Sequence, residues 1–234
     1  MRTAPSRLAV ATIAGLLVLS GSGSHAAGRA AAAPVRVEVT ASAHPHHAGW
    51  LDLPVVDRGF GVDAADRAST RAVTTATASA VCSGCSGQAS SVHVLYLDRP
   101  PAMALDNVAV AWDQGCRLCH AAAVSVQLAV VSNPGSLTTA NRAVAVNASC
   151  RHCTARSAAY QVVVAGDPQA RLTPTALAWL RDWASEQARL LAQPATSARW
   201  RASAVQQAGT DLAHLVNADL GTRTVAAHVR VSGR

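Results

Sequence analysis

The sequence predicts an α+β protein: a small sheet built from three stacked strand–turn–strand repeats, followed by a C-terminal helical hairpin. Three observations carry this expectation. Three Cys-x-x-Cys pairs, Cys82/Cys85, Cys116/Cys119 and Cys150/Cys153, recur every 34 residues and use all six cysteines of the chain. The segments around them alternate apolar and polar residues with period two, as strands with one buried face do. From Thr173 onward the apolar spacing changes to that of helices.

Residues 1–26 read as a secretory signal peptide. Arg2 and Arg7 precede the apolar run Leu8 to Leu19, and small residues follow from Gly21 to Ala27. That run falls short of the roughly 20 residues a bilayer span needs, and nothing downstream reads as transmembrane. The mature chain is therefore expected to be secreted or otherwise extracytoplasmic. Residues 27–66 form an N-terminal segment in which Val35 to Val39 alternates valine with charge, predicting a strand over 35–39. Ala43 to Asp66 is rich in histidine, proline, glycine and aspartate and reads as loop. His44, His46 and His47 around Pro45 have metal-binding chemistry, but a short histidine cluster in such a loop is ordinarily solvated.

Residues 67–166 hold the three repeats. Asn107 and Asn141 each stand nine residues before the first cysteine of their pair, and Gln127 and Gln161 eight after the second. After each pair comes an alternating stretch: Val92, Val94 and Tyr96, then Val124, Val126 and Leu128, then Tyr160, Val162 and Val164. These are strands. The segments before the cysteines also alternate, with Val108, Val110 and Trp112 opposite Ala109 and Ala111. Their alanine content leaves a helix as the alternative, but the period is nearer two. The first repeat is degenerate: Val73 stands at the asparagine position, Thr75 and Thr77 at the alanine positions and His93 at the glutamine position. Mid-strand Gln127 and Gln161 suit pairing with each other or with backbone across stacked units, with a binding groove as the competing reading.

Residues 167–234 predict the hairpin and a tail. Thr173 caps a first helix with Pro174 in its first turn, and Leu177, Leu180, Ala184 and Leu191 line one side until Pro194. A second helix is expected from Ser197 to Leu220, with Val205, Ala208, Leu212, Leu215 and Leu220 inward and Gly221 terminating it. Gly209 inside that helix costs roughly 1 kcal/mol relative to alanine. Trp179 and Trp183, one turn apart, read as a packing face.

Composition narrows the function classes. Aromatic residues make up 3% of the chain, so a core of alanine and valine must bring its layers close together. The formal charge of +7 falls to +5 without Arg2 and Arg7, and its arginines are scattered with no lysine among them. No basic cluster marks a nucleic-acid site. There is no His-Glu-x-x-His, no Gly-x-Ser-x-Gly elbow and no phosphate-binding glycine loop.

In an exported chain paired cysteines are read first as disulfides. Loop entropy favours bridges between units, about 4 kcal/mol against roughly 2 for an in-motif ring. Parity favours pairing within each motif, because three stacked cysteines per column leave one over. Cys82, Cys85, Cys116, Cys119, Cys150 and Cys153 are accordingly assigned to in-motif disulfides. Thioredoxin-like chemistry needs a helix after the motif, whereas strand residues follow here. A zinc site would draw four thiolates from two motifs, with His120 or His152 as substitutes. Cys116-Arg-Leu-Cys119-His120 also spells a haem-attachment signature, which Ser86 and Thr154 interrupt in the other two units.

The units Asn107 to Val131 and Asn141 to Val164, with the segment Leu172 to Leu220, resemble secreted actinobacterial proteins carrying Asn-x-Ala-x-Ala, Cys-x-x-Cys and Ala-x-x-Gln-Val-Val units before a helical tail. The resemblance covers about half of the chain. The first unit departs from it, a cysteine-free unit being usual there. The resemblance implies export and no particular activity. Similar segments occur near membrane zinc metalloprotease-like proteins, but none of their metal motifs is present. The expectation is a non-enzymatic, disulfide-stapled interaction module that binds another secreted or envelope protein. It has no catalytic, cofactor or metal residues and no nucleic-acid partner. The rival is an extracytoplasmic thiol–disulfide or zinc-handling protein using the same cysteines.

Overall fold

A computed structural model describes residues 33–45, 53–167, 169–193 and 198–233. The predicted signal peptide and His46 and His47 lie outside these. In chain order the elements are β1 (Val35–Ala43), β2 (Val55–Asp66), β3 (Thr70–Ala80), β4 (Ser86–Asp98), β5 (Met103–Gln114), β6 (His120–Ser132), β7 (Leu137–Ala148), β8 (Thr154–Ala165), α1 (Pro174–Ala192), α2 (Ala198–Leu220) and β9 (Arg223–Gly233). Odd strands β1-β3-β5-β7 form one parallel sheet, here sheet A. Even strands β2-β4-β6-β8 form a second, sheet B, which β9 extends by pairing antiparallel with β8.

The chain is thus a β-solenoid of about four coils, not a small sheet with a helical hairpin. Each coil gives one strand to each sheet, and its two strands face each other across the core instead of sharing hydrogen bonds. Hydrogen bonding runs from each strand to its equivalent one repeat on, as Asn107 opposite Asn141 and Gln127 opposite Gln161 show. Repeats that cannot bury a face alone bury it by stacking.

Three local readings change with the fold. The expected strand over 35–39 is part of the longer β1, and the expected loop supplies β2, so a cysteine-free coil precedes the three cysteine repeats. Thr74, not Val73, pairs with Asn107, and Ala76 and Ala78 pair with Ala109 and Ala111. The first cysteine repeat is therefore shifted by one residue along β3. The segments before the cysteines are strands throughout.

Alanine fills the space between the sheets towards the cysteine turns, and Leu95, Leu97, Met103 and Leu105 fill it at the other end. Ala41, Ala76, Ala109 and Ala121 are among a cluster made of alanine alone, each at most 1% exposed. Such small side chains let two sheets come close, and at β2 glycine carries this further: a Cβ on Gly59 would lie 2.6 Å from the Thr40 carbonyl oxygen, and one on Gly61 2.4 Å from Val39 Cγ2. The outward residues of β4, β6 and β8 form the larger apolar cluster, with Leu180, Ala184 and Leu191 of α1 and Val205, Leu212 and Val216 of α2 laid over it.

Thr173 caps α1 as expected, its Oγ1 accepting from the Ala176 amide at 3.2 Å. Asp219, near the end of α2, accepts from both the Thr173 amide and hydroxyl at 2.9 Å. Even so the helices touch each other little. α1 packs on β4, β6 and β8, and α2 mainly on β9, so the sheet rather than a mutual seam holds them. The closing glycine, Gly221, has φ +62°. Trp183 meets Tyr160 edge-on at 5.0 Å and stacks with Trp179, the packing role expected of the two tryptophans.

Candidate functional site

Each Cys-x-x-Cys is the turn that carries the chain from sheet A to sheet B, and parallel stacking sets the turns in a row. Their backbones repeat as faithfully as the strands do. Gly84, Leu118 and His152, the residues just before each second cysteine, have φ of 75°, 54° and 56°. Gly115 and Ser149, just before the first cysteines of the later two turns, have φ of 64° and 53°. Turn amides bond from one storey to the next: Gly84 to the Arg117 carbonyl at 2.8 Å, and Leu118 to that of Arg151 at 3.0 Å.

Cys82–Cys85 and Cys116–Cys119 are disulfide-bonded, while Cys150 and Cys153 are free thiols. Two of the three assigned in-motif bonds are therefore present. Cys116 Sγ lies 3.5 Å from Cys150 Sγ and 3.9 Å from Cys153 Sγ. The sulfurs of Cys116, Cys119 and Cys153 all fall within 4.8 Å of one another. A thiophilic ion would need these sulfurs as thiolates, and the bonded pair offers none. His120 takes no part. It opens β6 on the outward face of sheet B, where burial first and then the Arg156 charge lower its pKa. The haem-like spelling therefore does not become a histidine beside the cysteine sulfurs.

Burial, with Cys150 as hydrogen-bonding neighbour, pushes the Cys153 thiol up to about 11. Below the turns sits Asp113, the last inward residue of β5, fully buried, its carboxyl raised to about 6 by desolvation. Its oxygens make no well-formed hydrogen bond, and the Thr154 amide is what pulls its pKa back down. The residue opposite it on β7 is Asn147, whose Oδ1 accepts from the Ala155 amide at 3.1 Å. Sequence reasoning missed Asp113. The signal was a charged residue continuing the inward series Asn107, Ala109, Ala111.

A polar ladder crosses the alanine core. Gln161 Nε2 donates to Gln127 Oε1 at 2.8 Å, and Gln127 Nε2 to Thr74 Oγ1 at 3.1 Å. Asn107 Nδ2 donates to Asn141 Oδ1 at 2.9 Å and to the Tyr160 carbonyl at 2.9 Å. His93, wholly buried, ends the glutamine column and meets Thr74 Oγ1 at 3.3 Å and Asp63 Oδ2 at 2.8 Å. Burial pulls its pKa down, with Asp63 opposing. These side chains bond to one another and to the backbone, Gln161 Oε1 alone of the two glutamines' polar atoms being buried without a partner, and both glutamines are wholly buried, so they line no groove. His44 Nδ1 meets Ser79 Oγ at 2.8 Å, and its ring lies 5.2 Å from that of Trp112.

The outward face of sheet A is uncovered. Val108, Val110 and Trp112 on β5 run beside Val144 and Val146 on β7, the last two 43% and 47% exposed. Asp106 and Arg142 close one end with an ion pair, Arg142 Nη2 donating to Oδ1 at 2.8 Å and to Oδ2 at 3.0 Å. Among the described residues no helix is long and apolar enough to cross a membrane.

No protein-family model, curated protein or solved structure matches the chain.

Proposed function

We propose that the protein is an exported, non-enzymatic binding module, a stapled solenoid that presents the outward face of sheet A to another secreted or envelope protein. The observation that carries this reading is the asymmetry of the two sheets. The outward residues of β4, β6 and β8 lie under two helices, leaving only the edge strand β2 of sheet B exposed, whereas Val144 and Val146 of sheet A are exposed and Val108, Val110 and Trp112 beside them are half-buried with neither helix over them. An exposed apolar patch with a charged rim is the form of a docking face. The cysteine turns stand at one flank of both sheets and hold the coils in register without occupying that face. The resemblance to secreted actinobacterial repeat proteins supports the same cell compartment.

The test is site-specific photo-crosslinking on the exported protein in its native host. A photoreactive residue at Val110 or Val146 is expected to give one discrete adduct, and the same residue at exposed Arg181 of α1 none. Equal labelling from all three positions, or none from the sheet, would remove the reading.

A further inference from the structure

The last two storeys of the cysteine row differ in access. Cys116 and Cys119 are 4% and 0% exposed, whereas Cys150 and Cys153 are partly open to solvent on the terminal coil. Sheet A ends on β7, so no further turn covers them. An external reagent therefore meets the terminal pair first. Both terminal sulfurs lie within 4 Å of Cys116 Sγ, one at 3.5 and one at 3.9 Å. That places a dithiol directly against a disulfide.

We propose that Cys150 and Cys153 form a thiol–disulfide exchange site through which a small external disulfide oxidises the buried Cys116/Cys119 pair. The inference is independent of the docking face. In the first step the Cys150 thiolate attacks one sulfur of the external disulfide R–S–S–R, and the leaving thiolate takes up the proton Cys150 gave up. Cys153 then attacks Cys150 Sγ in the mixed disulfide, forming Cys150–Cys153 and releasing the second R–SH. In the next step Cys116, as thiolate, attacks Cys150 Sγ; the Cys150–Cys153 bond breaks and Cys153 regains a proton. Cys119 closes the sequence by attacking Cys116 Sγ, forming Cys116–Cys119 and returning Cys150 as a thiol. Two electrons pass from the buried pair to R–S–S–R, which leaves as two molecules of R–SH. The observed arrangement, a bonded Cys116–Cys119 beside free Cys150 and Cys153, is the end state of that sequence. Cys150 Sγ, at 3.5 Å the nearer of the two terminal sulfurs to Cys116 Sγ, is the one placed to hand the disulfide on.

The exported protein is reduced at a dose that leaves its β-sheet circular dichroism unchanged, freed of reductant and mixed with oxidised glutathione. Aliquots are acid-quenched, alkylated and peptide-mapped. In the wild-type chain, glutathione on Cys150 and then Cys150–Cys153 are expected to rise first and decline as Cys116–Cys119 grows. With Cys150→Ser and Cys153→Ser together, Cys116–Cys119 should form at least ~10-fold more slowly. Cys119→Ser with Cys153→Ser should accumulate a Cys116–Cys150 bond. Direct appearance of Cys116–Cys119 with no earlier adduct on the terminal pair overturns the proposal, as does an unchanged rate in the serine variant or an empty trap.

Discussion

Gln161 donates from Nε2 to Oε1 of Gln127 at 2.8 Å, one coil to the next, and Gln127 passes the pattern on to Thr74. In a parallel stack identical side chains come into line, so an amide can satisfy its own copy. Gln127→Leu breaks the chain at its middle. It removes the acceptor of one amide and the donor to a buried threonine hydroxyl, and an unsatisfied buried polar group costs about 1–3 kcal/mol. Urea unfolding should show a loss of that order, larger than for an exposed change such as Arg181→Ala. A loss no greater than the control would show that the ladder is dispensable.

His93 stands where the next two coils carry glutamine. Burial lowers its pKa in the folded state, so its contribution to stability is present above the unfolded value of about 6.5 and is lost as pH falls through the lowered folded value. His93→Gln, which restores the column, should flatten the acid side of the stability curve below about pH 6.5. Chemical denaturation across that range checks it, and an unchanged acid slope would assign the loss to other groups.

Asp113 works in the opposite sense. Its folded pKa of about 6 lies above the ordinary 3.8, so its contribution is intact below the unfolded value and is lost as pH rises through about 6. Two units correspond to roughly 3 kcal/mol for a group removed from water, an upper figure for this site. Asp113→Asn copies Asn147 one coil on. The variant should be more stable than wild type at pH 7.5 and equal to it near pH 4, measured as the urea midpoint at both pH values. No gain at pH 7.5 would show that the carboxylate is better solvated than its burial implies.

The alternation of Val124, Val126 and Leu128 identified strands and their faces, and Thr173 with Pro174 placed the start of α1. The partner of each strand was not legible there. Period two says which side chains share a face, and it is the same whether a strand pairs with its neighbour in sequence or with its equivalent one repeat later. The 34-residue offset between Gln127 and Gln161 held that information, because a repeat whose polar core residues recur in register can pair in parallel with its own copy. β2 was hidden for another reason. Gly59, Gly61, Asp57 and Asp63 are turn residues by type, but in β2 the glycines answer the close approach of β1, a tertiary demand with no local signal. The one-residue shift in β3 likewise made Thr74, Ala76 and Ala78 look degenerate, although they occupy the expected positions. At the cysteines the sequence showed the row of turns, and only the fold showed which pairs are buried.

Gly209 sets propensity against packing. In an isolated helix Gly209→Ala would stabilise α2 by about 1 kcal/mol. Here the added Cβ would lie 2.3 Å from Val229 Cγ2 on β9 and 3.5 Å from Tyr160 Cδ1 beneath it. Relief requires α2 to lift from β9 or Val229 to move, and overpacking of this kind costs about 1–3 kcal/mol. The net sign should therefore be destabilising in thermal and urea unfolding. Val229→Ala removes the obstructing methyls, so the double variant should recover most of what Gly209→Ala loses beyond the cost of Val229→Ala alone. That coupling distinguishes a steric clash from a backbone effect, since a purely conformational cost at Gly209 would be indifferent to residue 229. A strictly additive pair would mean that α2 does not rest on β9 at this point.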